Sequence, residues 1–321
     1  MIDKEGITKH ILITGGAGFI GSHLTEYLLK QGHQVTVLDN LYTGFLSNLE
    51  ACRTMPRFKF IKQDVCEPIH LDVDAIYHLA CPASPVHYQA DPVMTTKTCV
   101  LGALSVLACA KKNQCRVLSA STSEVYGDPL VHPQVESDWG NVNPIGIRSC
   151  YDEGKRCAET LFMDYHRCHG VDIMIARIFN TYGPRMSLND GRLVPNFIAQ
   201  ALKNEPLTLY GDGSQTRSLC YIDDMIQGLT GMMALPRKET GPYNVGNPCE
   251  NTVKQIADEI IELTGSNSVK QHMPLPQDDP LRRQPDISKL NHATGFKPEV
   301  ALTNGLKATM DYFASKLKVP A

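Results

Sequence analysis

The stretch ILITGGAGFIG, residues 11–21, decides the fold. Ile11-Leu-Ile-Thr14 runs straight into Gly15-Gly16-Ala17-Gly18, and Phe19-Ile20-Gly21 then restarts an apolar pattern. That order reads strand, tight glycine turn, helix start. The glycines satisfy two spacings at once, Gly16-x-Gly18-x-x-Gly21 and the wider Gly15-x-x-Gly18-x-x-Gly21. Glycine is needed there because the chain turns sharply, lets a pyrophosphate approach its backbone at a helix N-terminus, and packs that helix against the strand. A lone glycine pattern is weak evidence, and Asp39 gives it weight. It ends the next apolar run, Val35-Thr-Val-Leu38, eighteen residues after Gly21, close to the spacing of an acid that binds adenosine ribose hydroxyls. A carboxylate at that point repels a 2′-phosphate, so NAD is favoured over NADP.

Working outward, short Val- and Ile-rich runs alternate with longer helical patterns through the first half of the chain. Ile11–Thr14, Val35–Leu38, Phe58–Ile61, Ala75–Leu79, Val117-Leu118 and Ile173–Ile178 are the strand candidates. Most are separated by enough chain for a crossover helix, which predicts an α/β, Rossmann-type, doubly wound parallel sheet. From about residue 181 Gly and Pro punctuate shorter segments, as in Tyr182-Gly-Pro184, Tyr210-Gly-Asp-Gly213 and Met273-Pro-Leu-Pro276. This predicts a smaller, loop-rich C-terminal substrate lobe over 181–321, after a nucleotide-binding domain over 1–180. Helical patterns at 192–203, 223–235 and 252–264 suggest that the lobes exchange segments, with a stretch near 219–246 returning to the first domain.

At 321 residues the chain can bury roughly three quarters of its extended surface, as one large domain or two. Charged residues at 20% and apolar ones at 42% exclude a disordered chain. A net charge of -3, with no basic run longer than Lys111-Lys112 or Arg282-Arg283, gives no footprint for nucleic acid. The eleven cysteines are scattered without a CxxC pair, which reads as free thiols in a reducing compartment. His166, Cys168 and His169 fall on different faces of one predicted helix, so no metal site is expected. No run is expected to span a membrane, and the opening MIDKEGITKH lacks the apolar centre of a signal peptide. The expectation is a cytoplasmic protein.

The segment Ser121-Thr-Ser-Glu-Val-Tyr-Gly127 places three hydroxyls and a carboxyl where the strand begun by Val117-Leu118 should end. Strand ends are where open α/β sheets hold ligands. Downstream, Tyr151-Asp-Glu-Gly-Lys155 sets a Tyr and a Lys on one helix face. An adjacent ammonium and a cationic nicotinamide both favour the phenolate, which then accepts a hydroxyl proton as hydride leaves the same carbon. The spacing recurs at Tyr312-Phe-Ala-Ser-Lys316, but without a preceding strand end, and reads as an exposed amphipathic helix.

Together the glycine fingerprint, STSEVYG, YxxxK and Arg177-Ile-Phe-Asn-Thr-Tyr-Gly-Pro184 resemble the extended short-chain dehydrogenases/reductases that act on nucleotide sugars. More narrowly, LACPASP (79–85), TSEVYGDPLVHPQ (122–134), WGNVNPIG (139–146), RSCYDEGKR (148–156), ARIFNTYGPRM (176–186) and DDPLRRQPDISK (278–289) resemble the UDP-glucuronate decarboxylase family. The resemblance implies a redox-neutral reaction. Hydride leaves C4 of UDP-glucuronate while Tyr151 takes the hydroxyl proton, the resulting β-keto acid loses CO2, and proton and hydride return to give UDP-xylose. It implies that Thr122 and Ser123 bond the sugar oxygens and that Glu124 orients the sugar or handles a proton near C5. Related dehydratases carry Asp in place of Ser123, to expel a C6 hydroxyl that a glucuronate lacks.

The same resemblance assigns the cofactor to Gly15, Gly18, Phe19, Ile20, Gly21, Asp39, Asn40, Asp64, Val65, Leu79 and Lys155. For the substrate it names Asn180, Arg192, Arg217 and Arg283, the last on the diphosphate, with Tyr210 stacked on the uracil. Two residues depart from the pattern. Cys99 stands where an Asn usually supports a network near the catalytic Lys, and Pro195 stands where Ser is common. A homodimer through the helices near 92–112 and 149–170 is expected, with Leu101, Leu104, Leu161 and Phe162 as apolar candidates. Competing readings are a UDP-sugar 4-epimerase, a UDP-4-keto-pentose or apiose synthase, and a catalytically silent NAD-binding scaffold.

Overall fold

Seven strands pair in parallel: β1 His10–Thr14, β2 Gln34–Asp39, β3 Phe58–Lys62, β4 Ala75–His78, β5 Arg116–Thr122, β6 Ile173–Ile178 and β7 Tyr243–Val245. Their order across the sheet is β7-β6-β5-β4-β1-β2-β3, so the winding reverses between β1 and β4 and leaves a crevice beyond the carboxyl ends of those strands. The computed structural model describes residues 8–275 and 282–317. Asp278 and Asp279 of the DDPLRRQPDISK segment therefore lie outside the described residues, as does Pro276.

All six expected strands form, and the sequence reading missed β7. Three residues, Tyr-Asn-Val, are too few to carry a period, and they become a strand only by pairing with Ala176–Ile178. β5 is longer than Val117-Leu118. Its polar residues are tolerated in a fully buried strand because partners meet them, as where Ser121 Oγ donates to Glu159 Oε1 at 2.5 Å.

Helices cover both sheet faces. On one, α1 Phe19–Lys30 packs Leu24, Leu28 and Leu29 beside Met225, Ile226 and Leu229 of the Ile222–Met233 helix. On the other, α2 Pro92–Asn113 and α3 Ser149–His169 bury Ala103, Val106, Leu107, Ala158 and Phe162. Contrary to expectation, α2 is long and apolar enough to cross a membrane by length and composition. Half of its most apolar window is buried within the fold, and it packs along α3, as a core helix does. Of the apolar residues offered for a dimer face, Phe162 belongs to this core, whereas Leu101 is 43% exposed.

A separate core of Val194, Phe197, Ile198, Leu207, Leu209, Ile256, Ile260, Leu306 and Phe313 builds the smaller lobe. Its helices Leu193–Leu202 and Val253–Thr264 match the expected ones, and Pro195 falls in the first turn, where its missing N–H costs nothing. Tyr312 sits on the Leu302–Leu317 helix, packed on this core with Lys316 5.4 Å from its ring centroid. His166 bonds the Val171 carbonyl and His169 meets the Tyr165 ring edge, which places both in the helix terminus.

Candidate active site

A cleft of about 540 Å³ opens at the winding reversal, between the sheet and the smaller lobe. One end is built by the glycine turn. Gly15 has φ +72°, and a Cβ there would lie 2.7 Å from the Ala80 nitrogen, so only glycine lets the turn press on the chain leaving β4. Gly18 is the N-cap of α1 and no side chain caps it, so the first-turn N–H groups beside Phe19, Ile20 and Gly21 remain available at the cleft wall. Asp39 leaves the end of β2 and accepts hydrogen bonds from the N–H groups of Ala17 (3.0 Å) and Leu41 (2.8 Å). Burial raises its pKa, and those two bonds oppose the shift.

Asn40 donates to Asp64 at 2.9 Å, and Asp64 also accepts from the Cys66 N–H at 2.8 Å. Burial works against the Asp64 carboxylate, but these donors hold its pKa below the usual value. Asn40, Val65 and Leu79 line the cleft, while Asp64 stands behind the wall and fixes the loop. An uncapped helix end, a glycine-rich turn and a carboxylate at the end of β2 fit a dinucleotide with a free ribose 2′-hydroxyl. Replacing Asp39 with Asn is expected to narrow the preference for NAD over NADP by roughly 10- to 100-fold, the scale of one half-buried charge contact. Calorimetric titration of both nucleotides checks this, and an unchanged ratio would locate selectivity elsewhere.

Tyr151 and Lys155 project from α3 into the same cleft and are buried. The Lys155 ammonium donates to the Ala120 carbonyl at 2.8 Å and lies 5.8 Å from the Tyr151 ring centroid. Tyr88, unmentioned by the sequence reading, stacks on Tyr151 with centroids 5.0 Å apart and planes within 3°. Burial pushes the Tyr151 phenol well above its usual pKa, the Cys81 sulfur and Glu124 add to the rise, and a hydrogen bond with Thr122 opposes it. In the protein alone burial dominates, and Tyr151 is a protonated phenol poised beside Thr122.

Glu124 lies in the short turn Ser123–Tyr126 that follows β5, with its N–H bonded to the Thr122 hydroxyl at 3.2 Å. Its carboxylate is clamped between two guanidinium groups. Arg148 Nη2 donates to Oε2 at 2.9 Å, and Arg283 Nη2 lies 2.7 Å from Oε1 and 2.9 Å from Oε2. Burial by itself would raise the Glu124 pKa, but Arg283, then Arg148 and Arg217, outweigh it and hold the group ionised. Arg283 also donates to Asn180 Oδ1 at 3.1 Å. The resemblance placed Arg283 on a diphosphate; in the protein alone its partners are Glu124 and Asn180.

Asp152, one turn after Arg148, completes the group at 3.9 Å from its Nε. Burial, with the Glu124 charge second, raises its pKa to about 7. The sequence reading missed Tyr88, Arg148 and Asp152. A signal existed for the last two, since Arg148 and Asp152 are four apart on α3, as Tyr151 and Lys155 are. Around them Arg192 pairs with Asp190, Arg217 donates to the Thr216 carbonyl at 2.8 Å, and Tyr210 stands 45% exposed at the rim. Ser123 is buried beside Glu124, and it lines the one cleft with Tyr88, Arg148, Arg192, Arg217 and Tyr210, while Asp152 does not.

A glycine turn on a parallel sheet, facing a buried Tyr–Lys pair across one cleft, defines a nucleotide-dependent enzyme that moves a proton and a hydride at a carbinol carbon. The family described as the NAD dependent epimerase/dehydratase family matches residues 11–246, and the chain belongs to it. UDP-glucuronic acid decarboxylase 6 of Arabidopsis thaliana is 54% identical over 311 residues, spanning 97% of this chain and 90% of the relative. UDP-glucuronic acid decarboxylase 1 of Danio rerio is 52% identical over 315 residues, spanning 98% and 75%. Among solved structures, the UDP-glucuronic acid 4-epimerase of Bacillus cereus, in complex with UDP-glucuronic acid and NAD, superposes with a TM-score of 0.85. It is 30% identical and covers 96% of this chain and 99% of its own.

Proposed function

We propose that this chain is a NAD-dependent, redox-neutral UDP-glucuronate decarboxylase that yields UDP-xylose. The observation that carries the substrate is the charge around Glu124. Arg148, Arg217 and Arg283 converge on one carboxylate, with a second, Asp152, pushed by burial and the Glu124 charge toward its neutral form. The cluster keeps an excess of positive charge beside Tyr151, which suits a sugar that brings its own carboxylate and a diphosphate. The relatives named decarboxylases agree with this reading.

NAD, held by the glycine turn, Asp39 and Lys155, supplies the removal and return of hydride. The protein's own residues do the rest. Tyr151 accepts the C4 hydroxyl proton, relayed through the Thr122 hydroxyl that bonds it. The arginines hold the substrate carboxylate until the C4 ketone lets its electrons pass into an enolate and CO2 departs. Glu124, ionised and fixed by Arg148 and Arg283, orients these cations. Ser123 places no second carboxylate near the sugar acid, so nothing there drives dehydration. Proton NMR of the protein with UDP-glucuronate and NAD in D2O tests the cycle. UDP-xylose with deuterium at C5 and no lasting NADH is expected. A C4-epimer with the carboxylate intact would identify an epimerase, and an accumulated 4-keto pentose a keto-sugar synthase.

We also propose a homodimer built on α2 and α3. Val93 and Leu101 are 64% and 43% exposed, and with Val100 and Pro144 they line an open apolar groove between the two helices. Light scattering should give twice the chain mass of 35.5 kDa, and Leu101→Glu should return the monomer mass. A monomer for the unmodified protein removes this reading. A reducing, cytoplasmic setting is proposed alongside, supported by eleven cysteines that are all free.

A further inference from the structure

Two sulfurs meet behind the Tyr–Lys pair. Cys81, three residues past β4, and Cys99, on α2, stand with Sγ atoms 3.4 Å apart. They approach the same place from opposite sides. Cys99 is only 2% exposed and is wedged against α3, where a Cβ on Gly154, the residue before Lys155, would lie 3.0 Å from its Sγ. Cys81 is half-buried and forms part of the cleft wall, continuous with the Leu79–Ala80 backbone that presses on Gly15. A small oxidant entering the cleft therefore reaches Cys81 first, and a bound cofactor covers that wall.

The chemistry of the two sulfurs differs. As a thiol Cys81 donates to the Pro82 carbonyl. A hydrogen bond from Cys99 lowers the Cys81 pKa to about 7, with burial opposing and Lys155 assisting, while the same bond and burial push Cys99 upward. Cys81 faces the cleft and Cys99 is buried behind it, the placement expected of an attacking and a resolving thiol, and the direction of the two shifts agrees with it.

We propose that Cys81 and Cys99 form an oxidation site, a dithiol that hydrogen peroxide closes to a disulfide and so disables the neighbouring active site. In the first step the Cys81 thiolate attacks the peroxide O–O bond and becomes a sulfenic acid, and the departing hydroxide takes a proton to leave as water. In the second, the Cys99 sulfur attacks Cys81, loses its proton and expels the second water. Two thiols and one peroxide give one disulfide and two waters, and the two electrons pass from sulfur to peroxide. Closing the pair to the S–S bond length of about 2.05 Å requires movement, and Cys99 is fixed against Gly154. The Leu79–Cys81 wall therefore moves, carrying the contact with Gly15 and shifting the cofactor turn against Tyr151. A misplacement on the order of 1 Å at reacting groups lowers turnover about 100-fold.

This inference concerns the control of the site proposed above, and its test reads the bond itself as well as turnover. The chain with the exposed Cys157, Cys168 and Cys249 replaced by Ser is treated with hydrogen peroxide, with and without saturating NAD, and its peptides are mapped by mass spectrometry. A Cys81–Cys99 cross-link is expected, together with about 100-fold lower turnover and weaker NAD binding. All three should be reversed by dithiothreitol, and formation should be at least about tenfold slower with NAD present, since Cys81 lines its cleft. Cys99→Ala, with Cys81→Ala as the second variant, should resist the loss. A cross-link with normal NAD binding would overturn the gating and not the decarboxylase reading. Equal inactivation of Cys99→Ala, a stable sulfinic acid on Cys81, or a cross-link to Cys150 would overturn the site.

Discussion

Tyr151→Phe is expected to lower turnover of UDP-glucuronate by about 10²- to 10⁴-fold, the contribution of a positioned general base, while the fold persists. The phenylalanine ring keeps the parallel stack on Tyr88, which spans 5.0 Å, and loses only the hydroxyl that bonds Thr122. Because burial holds that phenol protonated, the base form must be drawn out by positive charge arriving in the cleft, so the pH profile carries a second readout. In the unmodified protein the rate should rise with pH through a group that titrates in the complex, and this limb should vanish from the residual rate of the variant. Initial rates of CO2 release across pH check both. A loss below about tenfold, with the limb retained, would assign proton removal to another group.

How much of this was legible in the sequence follows from what each residue needs. The glycine turn was legible because its first demand is local: Gly15 adopts φ +72°, which favours glycine before any contact with the chain at Ala80 is counted. Asp39 and the Tyr151–Lys155 pair were legible because a strand end and a helical turn fix their spacing. Tyr88, Arg148 and Asp152 were not, since their importance exists only after α3 packs beside the short helix Pro85–Ala90 that precedes α2. Tyr88 lies 63 residues before Tyr151, a separation with no period to reveal it. Cys81 and Cys99 were each visible, the second as a departure from the family pattern, yet no spacing rule brings their sulfurs together. The position of Arg283 needed the structure too. A motif said that an arginine there meets substrate, and only the geometry set it on Glu124, the carboxylate it shares with Arg148 and Arg217.

That sharing gives Glu124→Ala a consequence larger than a lost catalytic group. Removing the carboxylate leaves Arg148 and Arg283 facing each other with little solvent, and breaking a buried ion pair by removing one partner costs about 3–5 kcal/mol. At about 2 °C per kcal/mol for a chain of this size, calorimetry should record a fall in Tm of roughly 6–10 °C. Turnover should fall with it, which by itself does not separate stability from chemistry. UDP does. Its diphosphate can replace the missing negative charge among the freed arginines, so saturating UDP should raise the Tm of the variant by more than it raises that of the unmodified protein. Equal increments would mean that the arginines do not form the anion site. Acid supplies an independent check. Because the folded pKa of Glu124 is depressed, its contribution is complete above the unfolded value of about 4.3 and is lost as pH falls through the folded value. The stability gap between the protein and Glu124→Gln, an uncharged side chain of the same shape, should therefore hold at neutral pH and shrink below about pH 4. A gap that stays constant into acid would show that shape, rather than charge, is what Glu124 contributes to the cluster.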